Sequence, residues 1–236
     1  MPDKFHPERT LTVDLVALFE FEEDFDQDFA AVNSVPPNDT LGPDTGLGLV
    51  RAHVAAGVVE RAVYFDSASS YFYGPDASRF RTGKDKTICF WLKLSPRSSG
   101  NWRFIEKNTE YAFEVSATTR RLTVFGDFGS FFTHMKALDL DTWYFVAFWY
   151  DVSLGKSYVR FNRDIAESGA LNSVVTPAGI AVGTEGVTLD QLGFWDRRLS
   201  GAEMDAVYNK GHGIAYADMV EAAEGDSCRA AVCTCD

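Results

Sequence analysis

Asp24, Asp26 and Asp28 stand two residues apart in the stretch FEEDFDQDF, and clustered hard oxygens of this kind are what calcium takes as ligands. The stretch is not an EF-hand loop: counted from Asp24, the sixth position is Phe29 where glycine is needed and the twelfth is Val35 where glutamate is needed. The choice is between a calcium loop and a metal-free, solvated acidic loop. Cys228, Cys233 and Cys235 crowd the last nine residues. Cys233 and Cys235 are too close along the chain to bond each other well, and an internal bridge in such a tail closes only a short loop. The tail therefore predicts a disulfide to another chain, with zinc held by the same three thiols and His212, or free thiols, as the alternatives. Cys89 lies inside the run KTICFWLKL and is expected to be a small buried hydrophobe. His6, His53, His134 and His212 show no H-x-x-x-H spacing, and no G-x-S-x-G occurs, so nothing points to a zinc hydrolase or a serine triad. For sugar binding the expected platform is Trp102, which follows a Ser/Gly loop in SSGNWRF with Asn101 and Arg103 beside it. Phe131 and Phe132 with His134 are the second choice.

These residues need a scaffold. The chain has 236 residues, 46% of them hydrophobic, with 19 Phe, 9 Tyr and 5 Trp, which suits half-buried pleated surfaces. A net charge of −12 disfavours nucleic acid and anionic membranes, since both call for a basic face. No apolar run reaches the roughly 18 residues of a membrane span. The opening MPDKFHPERT has no apolar core, so the expectation is synthesis in the cytoplasm without a signal peptide. Residues 1–14 read as an extended arm, LVALFEF as a strand, and residues 24–61 as a long Pro/Gly-rich loop that must be anchored or functional. Short alternating runs follow, among them AVYFD, SYFYG, KTICFWLKLS, WRFIEK, YAFEVS, RLTVFG, WYFVAFWYD, KSYVRFNR, GIAVG and VTLDQLGFWD. Many short strands with regular turn signals predict an all-β sandwich.

In the last strand, Leu192 and Phe194 are expected to share a face with Asp190, and Gln191, Gly193 and Trp195 the other, which places the strand between two layers. Ser200 followed three residues on by Glu203 is a capping box, Met204, Val207 and Tyr208 lie on one helical face, and Gly211 can end the helix. Tyr216, Met219, Val220 and Ala223 predict a second helix ending at Gly225.

The run from Leu189 to Glu203, LDQLGFWDRRLSGAE, resembles the closing strand and helix start of concanavalin-A-like jelly rolls of the laminin-G/pentraxin type. LVALFEF, GVVERAVYFD, KTICFWLKL, DTWYFVAFWYD and YVRFNR resemble further strands of that family in the same order. The resemblance covers roughly residues 15–212, leaving an N-terminal arm (1–14) and a helical, Cys-rich extension (213–236). It implies a two-sheet antiparallel jelly-roll sandwich with a short helix after the last strand. It makes Trp91 and Trp143 packing residues. It also implies that a calcium, if bound, bridges the loop after the first strand to the last strand, here through Asp28, Asn33 and Asp190, although the family's glycine-rich loop is replaced by DFAAVNS. The family's glucanases carry E-x-D-x-E on a central strand, whereas Glu22, Asp24 and Asp26 end the first strand and finish in Asp, so no enzyme is expected. An arm and a Cys-tipped tail outside the domain point to a chain held in an assembly. The first expectation is a bacteriophage virion surface protein partnered by other virion chains; the second is a carbohydrate-binding adhesion module that meets cell-surface glycans.

Overall fold

The computed structural model describes residues 7–23, 31–36, 40–43, 52–67, 70–97, 99–108, 110–127 and 131–223. The alternating runs become strands: β1 (Leu15–Phe19), β2 (Ala31–Val32), β3 (Thr40–Pro43), β4 (Ala52–Ala56), β5 (Arg61–Phe65), β6 (Phe72–Gly74), β7 (Lys86–Leu94) and β8 (Trp102–Lys107). They continue as β9 (Tyr111–Val115), β10 (Arg121–Phe125), β11 (Phe131–Ala137), β12 (Tyr144–Asp151), β13 (Lys156–Phe161), β14 (Glu167–Ala170), β15 (Ile180–Val182) and β16 (Val187–Trp195). One sheet runs β14-β13-β12-β7-β16-β5-β4 with β1 also on β16, and the other β11-β10-β9-β8-β15-β6-β3-β2. Every pairing is antiparallel. The all-β sandwich is thus as predicted. The expected loop over 24–61 instead contains β2, β3 and β4, and the run 52–56, AHVAA, is a strand because it pairs along β5 from Ala52 opposite Phe65 to Ala56 opposite Arg61.

Two apolar layers hold the molecule. Between the sheets lie Phe65, Phe90, Phe104, Phe113, Phe148, Val187 and Phe194, all essentially buried. On the far side of the first sheet, Trp91, Trp149 and Trp195 pack with Leu11, Leu199, Met204, Val207 and Met219. That second layer is roofed by residues 7–14, by α1 (Gly201–Tyr208) and by the helical residues 216–223. Cys89 is fully buried in it, as expected, and burial pushes its thiol well up.

The last strand is buried along its whole length, as a strand between layers must be. Its facing differs from the simple alternation. β5 pairs residues 187–189 of β16 and β1 pairs residues 192–195 on the same edge. In the gap a bulge lies between Asp190 and Gly193, with Gln191 at φ 53°. The extra residue puts Asp190 opposite Trp91 on the outer face, while Leu192 and Phe194 point into the inter-sheet core.

The Asp-Arg-Arg corner that follows divides its labour. Asp196 binds the buried Lys86 ammonium and Lys84. Arg197 donates to the carbonyls of Thr10 (2.8 Å) and Val13 (3.0 Å) and to the Glu203 carboxylate (2.7 and 3.1 Å). Arg198 lies over the Trp149 and Tyr158 rings, which stack 5.0 Å apart. Ser200 and Glu203 form the predicted capping box, but α1 ends at Asn209 in the left-handed region, two residues before Gly211. Met219 of the second helix is buried against the chain's own sheet, and Gly225 lies outside the described residues.

Candidate functional site

The outer face of the second sheet carries no covering layer among the described residues. β8 is the strand that arms it. Trp102 faces inward and Arg103 outward, and a bulge between Arg103 and Ile105 then inserts one residue. Phe104 and Ile105 both join the core, so Glu106 returns to the outward face. Without the bulge, residues three apart would point to opposite faces. With it, the Arg103 guanidinium donates to Glu106 at 2.9 Å, both side chains about two-fifths exposed.

Next to β8 lies β15, whose inward residues Ile180 and Val182 are fully buried and whose outward residue is only Ala181. Glycines flank it at 179 and 183. On the other side, β6 turns Tyr73 outward in register with Ala181. The tip of the Tyr73 phenol lies over Gly179: a Cβ there would sit 2.2 Å from its oxygen and 2.3 Å from Cζ. Two clefts meet over Ala181. One, about 310 Å³, is lined by Tyr71, Tyr73, Arg103, Glu106, Gly183 and Thr184 among others; the other, about 430 Å³, by Tyr73, Glu106, Asn108, Pro177, Ala178 and Gly179. The result is a groove with a tyrosine wall, a charged and amide wall, and a floor of small residues. Farther along the same cross-strand row, beyond Glu106, come Ala112, Phe125 and Phe131, the last 62% exposed.

Buried charges fix the groove's end. Lys107 Nζ, wholly buried, donates to Asp76 (3.2 Å), to the carbonyls of Thr176 (3.3 Å) and Ala178, and pairs with Glu110 (3.1 Å). Glu110 in turn accepts from the backbone N–H groups of Thr82 (2.6 Å) and Thr176 (3.3 Å). The segment carrying Pro177 and Gly179 is therefore tied at both its carbonyls and its N–H to the end of β8, which fixes Gly179 under Tyr73.

The residues singled out from the sequence fare differently. Trp102 is not an exposed platform. It is 4% exposed in the inter-sheet core, because its side of β8 faces the first sheet. Arg103, one residue on, does line the groove, while Asn101 is exposed at the strand's start and binds Glu114 (2.8 Å) and the N–H of Ala117 (2.9 Å). Phe131 is exposed, but Phe132 packs against the core and His134 is 3% exposed against Phe161, where burial pushes its pKa down. Trp91 is a packing residue; Trp143 is half-buried beneath the Lys93 ammonium.

The Asn33 side-chain oxygen is directed at two backbone donors, Leu18 N–H (2.9 Å) and Val35 N–H (3.1 Å), and a cation there would face those hydrogens. Asp190 accepts from the N–H groups of Val58 (2.7 Å) and Val59 (3.0 Å) through one oxygen, while the other is buried with no hydrogen-bond partner among the described residues. Burial, with Glu22 nearby, pushes its carboxyl up to about 7. Glu22 accepts from the Arg61 N–H (3.1 Å) and is likewise raised to about 7, chiefly by burial. Both carboxyls thus pin the turn between β4 and β5. Asp24, Asp26 and Asp28 lie outside the described residues, and among those described no group of three or more acidic, histidine or cysteine side chains is placed to hold a metal. The Asn33 oxygen is thus taken up by backbone donors, and Asp28, the third member of the calcium set that the resemblance implied, lies outside the described residues. Cys228, Cys233 and Cys235 also lie outside the described residues, and His212 is exposed.

Tyr73, Glu106 and Asn108 were not singled out from the sequence. The signal was there in PAGIAVG, where small residues alternate with Ile180 and Val182, the mark of a strand with one bare face.

No protein-family model matches the sequence, and no curated protein matches it in sequence. Solved structures share its shape. The binding domain of Paraclostridial mosquitocidal protein 1 superposes with a TM-score of 0.67 at 16% identity, over 85% of this chain and 53% of that one. The ligand-binding domain of botulinum neurotoxin serotype D, solved in complex with N-acetylneuraminic acid, gives 0.61 at 11% identity, over 87% and 53%. Trypanosoma rangeli sialidase gives 0.58 at 14% identity, over 86% of this chain and 34% of the enzyme. The chain thus spans about half of the two toxin domains, and the likeness is one of fold, an antiparallel β-sandwich.

Proposed function

We propose that this chain is a non-enzymatic carbohydrate-binding module that takes glycans in the groove between Tyr73 and Glu106. The observation that carries the reading is the pairing of opposite walls. A sugar ring has apolar C–H faces and hydroxyl edges, and the groove offers a phenol face on one side and carboxylate, guanidinium and amide groups on the other. It lies on the sheet face that the described residues leave uncovered. Binding domains of toxins share the fold, and one of them was solved with a sugar acid, which supports the same reading. The sialidase likeness does not extend the reading to catalysis: it is a likeness of fold at 14% identity over 34% of the enzyme.

The virion-surface role moves to second place, because the residues that motivated it, at the arm's start and in the cysteine tail, lie outside the described residues. The test is a glycan array probed with the wild-type chain and with Tyr73→Ala. Retention of a defined glycan set by the wild type, weakened by about 2 kcal/mol in the variant with an unchanged melting curve, is the expected result. Equal retention by both proteins would move the site elsewhere.

A further inference from the structure

We infer that the groove selects neutral, hydroxyl-bearing glycans and rejects acidic ones; this rests on the carbohydrate reading above. Arg103 is the only cation among the residues lining the two clefts, and it is already engaged, donating to Glu106 at 2.9 Å with its guanidinium 5.5 Å from the centre of the Phe125 ring. Lys107, the next cation along β8, is wholly buried and turned onto Asp76, Glu110 and the carbonyls of Thr176 and Ala178. No further lining cation is held in reserve for a ligand carboxylate.

Glu106 lines both clefts, so a ligand in either one meets its carboxylate. An ionised carboxylate only accepts hydrogen bonds. It suits sugar hydroxyls, which donate, and repels the carboxylate of a sugar acid, which at neutral pH can only accept. To seat an acid the Arg103–Glu106 pair would have to open, leaving Glu106 without its counter-charge in a partly desolvated groove. The chain's net charge of −12 adds a long-range penalty of the same sign. Tyr73, its phenol tip seated over Gly179 and its side chain 39% exposed, is open to acidic and neutral pyranoses alike, so the discrimination falls to Glu106.

The experiment uses the full chain on an array of matched oligosaccharide pairs, each neutral glycan printed beside its sialylated form, followed by calorimetry on the best pair at low and high salt. The expected result is binding of the neutral member, a loss of about tenfold on sialylation, and little salt dependence for the neutral glycan. Glu106→Gln keeps the shape and removes the charge. It should bring the sialylated glycan back to within about threefold of the neutral one, since it leaves Arg103 free to meet the acid. Preference for the sialylated member by the wild type, or Glu106→Gln leaving the gap unchanged, overturns this inference and leaves the carbohydrate reading standing. Binding to no glycan of either kind overturns both.

Discussion

Trp195 and Tyr73 occupy comparable positions, each an outward-facing aromatic on one sheet of the sandwich, and they meet opposite fates. Trp195 is 0% exposed and gives its indole N–H to the Leu11 carbonyl at 2.6 Å, beneath a roof built from the arm and two helices. Tyr73 is 39% exposed beside a groove. The difference lies in what the chain does before and after the sandwich. Its first described residues and its helices all go to the first sheet, where they bury an apolar layer. The second sheet receives none of them, and its outward residues are correspondingly a mixture of charge, hydroxyl and isolated rings. One face serves stability and the other is left open.

The comparison is broken most severely at Trp195. Trp195→Ala should cost about 3–5 kcal/mol, by opening a cavity in the roofed layer and leaving the Leu11 carbonyl unpaired. Urea unfolding measures it, and binding by the folded fraction should persist; a loss below about 1 kcal/mol would mean that the roof does not hold the sheet. Gly179→Ala probes the other face. Its new methyl group collides with the Tyr73 phenol and with the Gly74 carbonyl oxygen, so affinity for the best array glycan should fall about tenfold, and by less when Tyr73→Ala is already present. Equal losses in both backgrounds would separate Gly179 from Tyr73. Ser200→Ala removes half of the capping box under the roof and should cost about 1 kcal/mol by the same unfolding assay, with binding unaffected.

The last contrast is in pH. The Asp190 carboxyl is raised from the ordinary 3.8 to about 7, so its contribution is fully present below pH 4 and is lost as pH rises through 7. Glu203 runs the other way. The Arg197 guanidinium, with hydrogen bonds from Thr10 and Ser200, outweighs burial and holds its carboxyl at about 2, so its contribution is present above 4.5 and lost as pH falls toward 2. Glu22, likewise raised to about 7, adds to the same limb, so the melting temperature should decline from pH 5 to pH 8, and Asp190→Asn should reduce that decline, with Glu22 carrying the rest, while leaving the acid limb intact. A wild-type curve level across that range would remove Asp190 as its source.

Much of the roofed half was legible in the chain. The capping box of Ser200 and Glu203, the apolar stripe of Tyr216, Met219, Val220 and Ala223 and the double-sided last strand all follow from local spacing, and local spacing is what sequence records. The alternating runs also determined that there would be two antiparallel sheets with an apolar layer between them, since period-two patterning fixes which residues can be buried together.

Which face each functional residue takes was decided only in the assembled sandwich. Alternation carries a facing forward along a strand until a bulge adds a residue, and whether a bulge forms depends on partners far away in sequence. At Phe104 the inserted residue brings Glu106 onto the same side as Arg103, and at Asp190–Gly193 the change of partner from β5 to β1 turns Asp190 away from Leu192. For Trp102 no bulge was needed: the order of the strands decided that its side of β8 would face a second sheet and that of Arg103 would face water. The groove exists because three separate segments, around Tyr73, Arg103 and Gly179, are brought together by that order, and no local stretch of sequence contains it.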